Sequence, residues 1–207
     1  MARIKTNIGD QVSGKMRNMV FYQMNGKSYV RSAPITNEDT WNEEQRMRRK
    51  RIVKVSELWR ALKTEQFSLI WNTAAQQMNG YAWYVKANMP ALEMDGTVID
   101  ARLLKLSDGK LAIDPMLSAN VIEEAPATIK VNWQNDPHIK GERLKDELMV
   151  ISYDGEKFSA ITSTGLKRKD LQGTIALPVK PANAGYIYLF FAAEDRRSFS
   201  ESRGFKV

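Results

Sequence analysis

Cysteine is absent from the 207 residues and histidine occurs once. The first absence excludes disulfides, thiolate metal sites and a cysteine nucleophile. A lone His138, in the loop Asn135-Asp136-Pro137-His138, cannot build a catalytic zinc centre of the usual kinds, and it reads as an exposed loop residue beside Asp136. No window approaches 18 uncharged apolar residues, which excludes a helical membrane span. The opening MARIKTNIGD has no apolar h-region, so no signal peptide is expected, and a cytoplasmic or virion-associated protein is. No G-x-S-x-G elbow or dinucleotide fingerprint occurs. Gly14-Lys15 is set aside as a phosphate-binding loop for want of the upstream glycine and the strand that must precede it. Adjacent carboxylates such as Glu123-Glu124 and Asp146-Glu147 would point apart as strand neighbours. Too few catalytic roles can be filled, and the expectation is a protein without enzymatic activity, cofactor or metal.

Composition is ordinary for a folded protein: hydrophobic residues make up 43% and charged residues 27%. Net charge is +7, unevenly placed. Residues 1–90 hold 15 Lys/Arg against 7 Asp/Glu, a net +8, whereas residues 91–207 hold 16 against 17, a net −1. A basic N-terminal part points to an anionic partner or to a solvated cationic face.

The stretch from Thr40 to Asn88 carries four of the five tryptophans and the densest positive charge. Its first helix, running to about Leu62, places Ile52, Val55, Trp59 and Leu62 on one face, widened by Leu58. Glu43 and Glu44 suit the positive end of its dipole, Thr40 or Asn37 could cap it, and Glu44 stands one turn before Arg48. The run Arg46, Arg48, Arg49, Lys50 and Arg51 wraps most of the circumference at about 100° per residue, which argues against reading a major groove. Thr64 caps a second helix, whose Phe67, Ile70, Trp71, Ala74, Ala75 and Met78 form one buried stripe facing Trp59, with Gly80 at its left-handed end. Tyr81, Trp83 and Tyr84 make a short third helix or aromatic cover. The three helices are expected to hold a small core of their own, in which the Trp59 and Trp71 sides close on each other.

Before the helices, Asn25-Gly26 between Met19–Met24 and Lys27–Arg31 predicts a β-hairpin ended by Pro34, with further turns at Gly9-Asp10 and Ser13-Gly14. Either face of that hairpin could be buried, and it must pack on the helices or on another subunit. Lys15, Arg17, Lys27 and Arg31 could line one basic surface among Phe21, Tyr22 and Tyr29, aromatics that serve first as packing groups. Trp41 joins them as a candidate interaction aromatic. Residues 91–126 read as a connecting segment with short strands at Val98-Ile99, Leu103–Ser107 and Lys110–Ile113. From Ala127 the pattern is all-β: 127–133, 148–153, 158–162, 174–177, 186–192 and 200–206 are candidate strands, with turns at Asp154-Gly155, Gly165 and 183–185. Lys167-Arg168-Lys169 reads as a solvated basic loop. The fold class is therefore α+β. A basic hairpin and helical unit occupies 1–90, and an immunoglobulin- or fibronectin-like antiparallel β-sandwich occupies 127–207.

The run SGKMRNMVFYQMNGKSYVRSAP, followed by Thr40, the Gln45-Arg46 pair and the helical stretch, resembles an abundant family of Bacteroidetes proteins known only as a domain of unknown function. That family carries a G-K-x-x-x-x-V-x-Y-x-x-x-G-K-x-Y-x-R-S-x-P segment, then a helical part and a β-rich tail with a tryptophan-bearing strand, as at Val131-Asn132-Trp133. The likeness spans nearly the whole chain in order, with few identical positions. It implies the architecture and carries over no catalytic residue. The pattern Trp59–Leu62, Trp71-Asn72 and Ala75 is similar to helical segments of phage-related proteins. Together these readings make the protein a structural or interaction component that self-associates or binds a protein partner, plausible in a phage virion or related particle. The alternative is a nucleic-acid-binding protein using residues 1–90.

Overall fold

A computed structural model describes residues 2–3, 13–24, 26–35, 41–122, 125–177 and 185–207. The turn at Gly9-Asp10, the caps Asn37 and Thr40, and Glu123-Glu124 lie outside the described residues, as do 183 and 184 of the last expected turn. The chain divides into two compact units, Met1–Asn42 and Glu43–Val207.

The first unit is a four-stranded antiparallel sheet rather than a lone hairpin. Its strands are β1 (Ala2–Arg3), β2 (Gly14–Met16), β3 (Met19–Met24) and β4 (Lys27–Ser32), in the order β1-β4-β3-β2. The predicted hairpin is β3 and β4: Met24 faces Lys27 across the turn, and Gly26 takes φ +70, where a side chain would be strained. Asn25 itself is outside the described residues. β4 stops at Ser32, before Pro34, which has no amide hydrogen to donate. β2 has three residues, too few for alternation to reveal. None of residues 13–24 and 26–35 is buried, so neither face of β2, β3 and β4 is the closed one that the alternation allows.

The second unit opens with α1 (Glu43–Leu62), α2 (Glu65–Ala74) and α3 (Gly80–Asn88). On α1, Val55, Trp59 and Leu62 are buried as their spacing predicts, but Ile52 is 45% exposed, because the core begins one turn later. Thr64 caps α2 by accepting the Phe67 amide at 3.1 Å. α2 ends at Ala74 instead of continuing to Asn79, and Met78 is exposed. Gly80 is consequently not a left-handed terminator. Asn79 caps α3, its side chain accepting from the Ala82 amide at 2.7 Å, and Gly80 is the first residue of that helix. The Gly80 amide donates to Asn72 Oδ1 at 3.1 Å. A Cβ at Gly80 would stand 2.4 Å from that oxygen and 2.7 Å from the Asn72 backbone nitrogen. Backbone atoms cannot yield as a flexible side chain does. Gly80→Ala should therefore destabilise the protein by roughly 1–3 kcal/mol, read as a lower urea midpoint. An unchanged midpoint would show that α2 and α3 can separate at no cost.

Trp59, Phe67, Trp71 and Tyr84 form one buried ring cluster, with Tyr84 of α3 5.1 Å from Trp59 and 5.0 Å from Trp71, centroid to centroid. The two indoles do share one core, joined through Phe67 and Tyr84. That core is not the helices' own. It continues into Leu92, Leu104, Leu106, Met149, Ile151, Tyr188, Phe190 and Phe199. The boundary expected at residue 90 is thus replaced by one at Asn42/Glu43. The segment after it is packed structure, not a connector. Asn88 brackets Lys105, donating to its carbonyl at 3.0 Å and accepting its amide at 2.8 Å. Leu106 donates to Ser202 Oγ at 2.8 Å. The strands expected here are absent among the described residues: Val98 and Leu111 make single bridges, to Leu92 and Ser200, and Ala101–Leu103 is a 3₁₀ turn.

The rest is a two-sheet antiparallel sandwich. β5 (Ser118–Ile122), β6 (Ala125–Asn132) and β9 (Gln172–Ala176) form one sheet in the order β5-β6-β9. β7 (Glu147–Tyr153), β8 (Thr162–Lys167), β10 (Tyr186–Ala192) and β11 (Arg203–Lys206) form the other, ordered β11-β10-β7-β8. The chain crosses between the sheets three times, after β6, after β8 and after β9. The α+β class with a β-sandwich is as the sequence predicts. Its first strand, β5, lies inside the supposed connector, so the sandwich starts before Ala127. The strand expected at 158–162 falls instead at 162–167, with Phe158 making one bridge to Tyr153. Across the two central strands the buried side chains alternate. Leu148, Val150, Ile187, Leu189 and Phe191 face the other sheet, while Met149, Ile151, Tyr188 and Phe190 join the helices' core. The four-stranded sheet is therefore buried on both faces, between the helices and the three-stranded sheet.

Candidate interaction surfaces

The register of the N-terminal sheet sorts its side chains into two faces, since directly paired residues share a face. Lys15, Val20 and Arg31 form one row, Tyr22 and Tyr29 the next, and Met24 and Lys27 the third. The opposite face carries Met16, Met19 and Ser32, then Phe21 and Val30, then Gln23 and Ser28. Of the predicted basic and aromatic set, Lys15, Lys27, Arg31, Tyr22 and Tyr29 thus come together. Phe21 lies on the other side. Arg17 sits in the β2–β3 turn at φ 49, a left-handed position uncommon for a long side chain. The Tyr22 and Tyr29 rings stack at 5.6 Å and 21°, and the Arg31 guanidinium lies 5.8 Å from the Tyr22 centroid. That distance is within cation–π range.

Gly9 stands five residues before Gly14, so the spacing G-x-x-x-x-G-K is present, a match the sequence reading overlooks. It does not make a phosphate loop. Met16 takes the place of the required hydroxyl, and Gly14–Met16 is a strand where such a loop must open a helix.

On α1, Arg46, Arg48, Arg49 and Lys50 are exposed, as the wrapped charge predicts. Arg48 meets Glu44 at 3.7 Å with both side chains mostly in solvent, a pair worth a few tenths of a kcal/mol. Arg51 differs from the expectation of a contact residue. Its Nη2 donates to the Met89 carbonyl at 2.5 Å and its Nη1 to Met94 Sδ at 3.5 Å, clamping the segment after α3 to α1. Trp41 is half-buried.

Arg168 overturns the reading of Lys167-Arg168-Lys169 as a solvated loop. It is 1% exposed. Its Nε stands 3.3 Å from Asp146 Oδ2, its Nη2 donates to the Ala112 carbonyl at 2.8 Å, and its guanidinium lies 4.0 Å from the Phe191 centroid. Its own carbonyl accepts from Trp133 Nε1 and Asn135 Nδ2, each at 2.9 Å. Burial pushes the Asp146 carboxyl above its ordinary range despite the pull of Arg168, and burial lowers Arg168. Beside Asp146, Glu147 points elsewhere, as expected of neighbours, toward Arg196 and the Ser163 hydroxyl. Burial works against its charge, but the Ser163 hydroxyl and the Arg196 guanidinium together leave it below the ordinary carboxylate range. His138 is exposed, its amide donating to Asp136 Oδ1 at 2.8 Å.

A cleft of about 420 Å³ opens between α1 and the β10–β11 edge, lined by Lys54, Leu58, Arg102, Tyr153, Tyr186 and Lys206 among others. Its Arg102 is already held by Asp100 at 2.6 Å, and that hydrogen bond lowers the Asp100 carboxyl. Among the described residues no helix is long and apolar enough to cross a membrane, and no cluster of His, Asp or Glu has the makings of a metal site.

No family model matches this chain, and no curated protein matches it. Among solved structures it is similar to the fibronectin type-III domain of human fibronectin type III domain containing protein 3. The identity is 11% and the TM-score 0.30, over 47% of this chain and 89% of that one.

Proposed function

We propose that this protein is a non-enzymatic structural protein that works by contact, an oligomeric assembly component whose N-terminal sheet docks against a second copy. The observation that carries this reading is the state of that sheet. β2, β3 and β4 leave no described residue buried, and Met16 and Met19 are 63% and 47% exposed on the face that also bears Phe21 and Val30. Ordering each residue opposes folding by about 1–2 kcal/mol, and a small sheet gains independent stability only when an apolar face is covered. A second copy offers the same apolar face and suits a symmetric, self-complementary contact. A phage virion or a related particle is the narrower form of the proposal, and it rests on the sequence resemblance alone. The scarcity of catalytic groups supports the absence of an enzymatic role.

Sedimentation across a wide concentration range tests the idea. Self-association is expected, weakened at least tenfold by Phe21→Ser with Met19→Ser. A protein that stays monomeric at the highest concentration, or a double variant that assembles as well as the parent, would sink it.

A further inference from the structure

We infer that the other face of the N-terminal sheet binds single-stranded nucleic acid. This goes beyond the assembly reading and does not depend on it, because the two use opposite sides of the same strands. Residues 13–35 contain four Lys/Arg and no Asp or Glu, so nothing within that stretch neutralises the cations. Three of the four, Lys15, Lys27 and Arg31, are brought to one face by the register, together with Tyr22 and Tyr29. All three cations are exposed.

Their order along the strands is informative. The Lys15/Arg31 row, the Tyr22/Tyr29 row and the Lys27 row succeed one another at two-residue steps, each about 6.8 Å. Two cationic rows thus lie roughly 13 Å apart with an aromatic row between them. Phosphates along an extended strand can meet the outer rows while an unstacked base lies on the tyrosines. Stacking on aromatic side chains is how sheets hold single strands without reading sequence. Arg31 is already placed near the Tyr22 ring, so cation and π-surface would act on the same nucleotide. A duplex hides its base faces and could use only the charges. An acidic protein segment could also use the charges, but would gain nothing from the paired rings that a base gains.

The test is fluorescence anisotropy of the full chain with a labelled oligodeoxythymidylate of roughly 20 nucleotides, set against a duplex and against heparin. Three phosphate contacts on a single strand give a salt slope near −2, so affinity should fall roughly 20-fold between 50 and 200 mM salt. Lys15→Gln/Lys27→Gln/Arg31→Gln should abolish most of that slope. Tyr22→Leu/Tyr29→Leu should weaken binding by about fivefold or more and leave the slope intact. Arg46→Gln/Arg48→Gln/Arg49→Gln on α1 should change binding little, and Phe21→Ser should retain it, which separates this idea from the assembly reading. Circular dichroism keeps the comparison to variants that retain the sheet. Absent binding at 50 mM salt overturns the inference. So does a triple Gln variant of the sheet that binds as the parent does. Loss confined to the α1 variant, or heparin binding as tight as the oligonucleotide's with the tyrosines dispensable, overturns it as well.

Discussion

Arg168→Met is expected to lower stability by about 3–5 kcal/mol, which for a chain of this size is a fall in Tm of roughly 10 °C or more. The volume of the side chain is nearly kept, so packing is not the main loss. What is lost is the cation beside Asp146, whose side chain is 3% exposed. A carboxylate left buried with only Arg143 to offset its charge is among the few single changes that reach this size. Asp146 already sits above its ordinary range because burial outweighs Arg168, and removing the arginine raises it further. A group whose folded pKa is raised contributes stability that is complete below its unfolded value of about 3.9 and lost as pH rises through the folded value. The deficit of the variant should therefore be largest near neutrality and shrink on acidification. Asp146→Leu combined with Arg168→Met removes both charges, and the Ala112 carbonyl, on an exposed residue, can return to water. The double variant should recover to within about 1–2 kcal/mol of the parent. Urea unfolding of all four proteins at two pH values closes the cycle. A double variant as unstable as the single one would mean that the guanidinium's bond to Ala112 and its place against Phe191 matter more than its charge.

Why the sequence conceals this pair is physical. Lys-Arg-Lys is the composition of a solvated turn, and the carboxylate that draws Arg168 inward lies on a different stretch of chain, before β7. Local patterns, by contrast, read true. The Val55, Trp59 and Leu62 face of α1, the Phe67, Ile70 and Trp71 face of α2, the Thr64 cap, the β3–β4 turn and the strand at 186–192 are where periodicity and turn chemistry place them, whereas Ile52 and Met78 fall outside the buried stripes. Errors begin where an outcome depends on a partner distant in sequence. Leu148–Ile151 and Ile187–Phe191 are continuous apolar runs, which is the mark of strands covered on both faces. That mark indicates a second layer without saying that the helices supply it. The expected separate helical core failed for this reason, and the connector that proved to be packed structure failed with it. Gly80 is ambiguous in a similar way: a glycine after asparagine fits a helix end as well as a close approach between helices. Of the candidate surface, the residue types were legible, but which of them share a face followed from the register. Its pairing with Val30 put Phe21 on the face opposite the cations, and its hydrogen bonds took Arg51 out of the basic surface.

Tyr84 supplies the second large effect and a contrast within one position. Its ring touches Trp59, Phe67 and Trp71 with centroids 5.1, 5.8 and 5.0 Å away, and the residue is fully buried. Tyr84→Ala removes the ring that joins α1, α2 and the sheet, and should lower stability by about 3–5 kcal/mol. Its hydroxyl is a separate matter. Among the described residues no group accepts from it or donates to it, and burial pushes the phenol far above its ordinary range. A buried hydroxyl without a partner costs about 1–3 kcal/mol relative to leaving it in water. Tyr84→Phe keeps every ring contact and removes that cost, so it should be neutral or stabilising by up to about 1 kcal/mol. Among the described residues the Trp71 indole N–H has no hydrogen-bond partner either, and the two rings meet edge to face at 87°. The cluster is thus held by shape and apolar area and not by a polar network. If Tyr84→Phe instead lost more than 1 kcal/mol, the hydroxyl would have to be bonded in solution, and the helices would be fixed to the sheet by a directional contact as well as by packing.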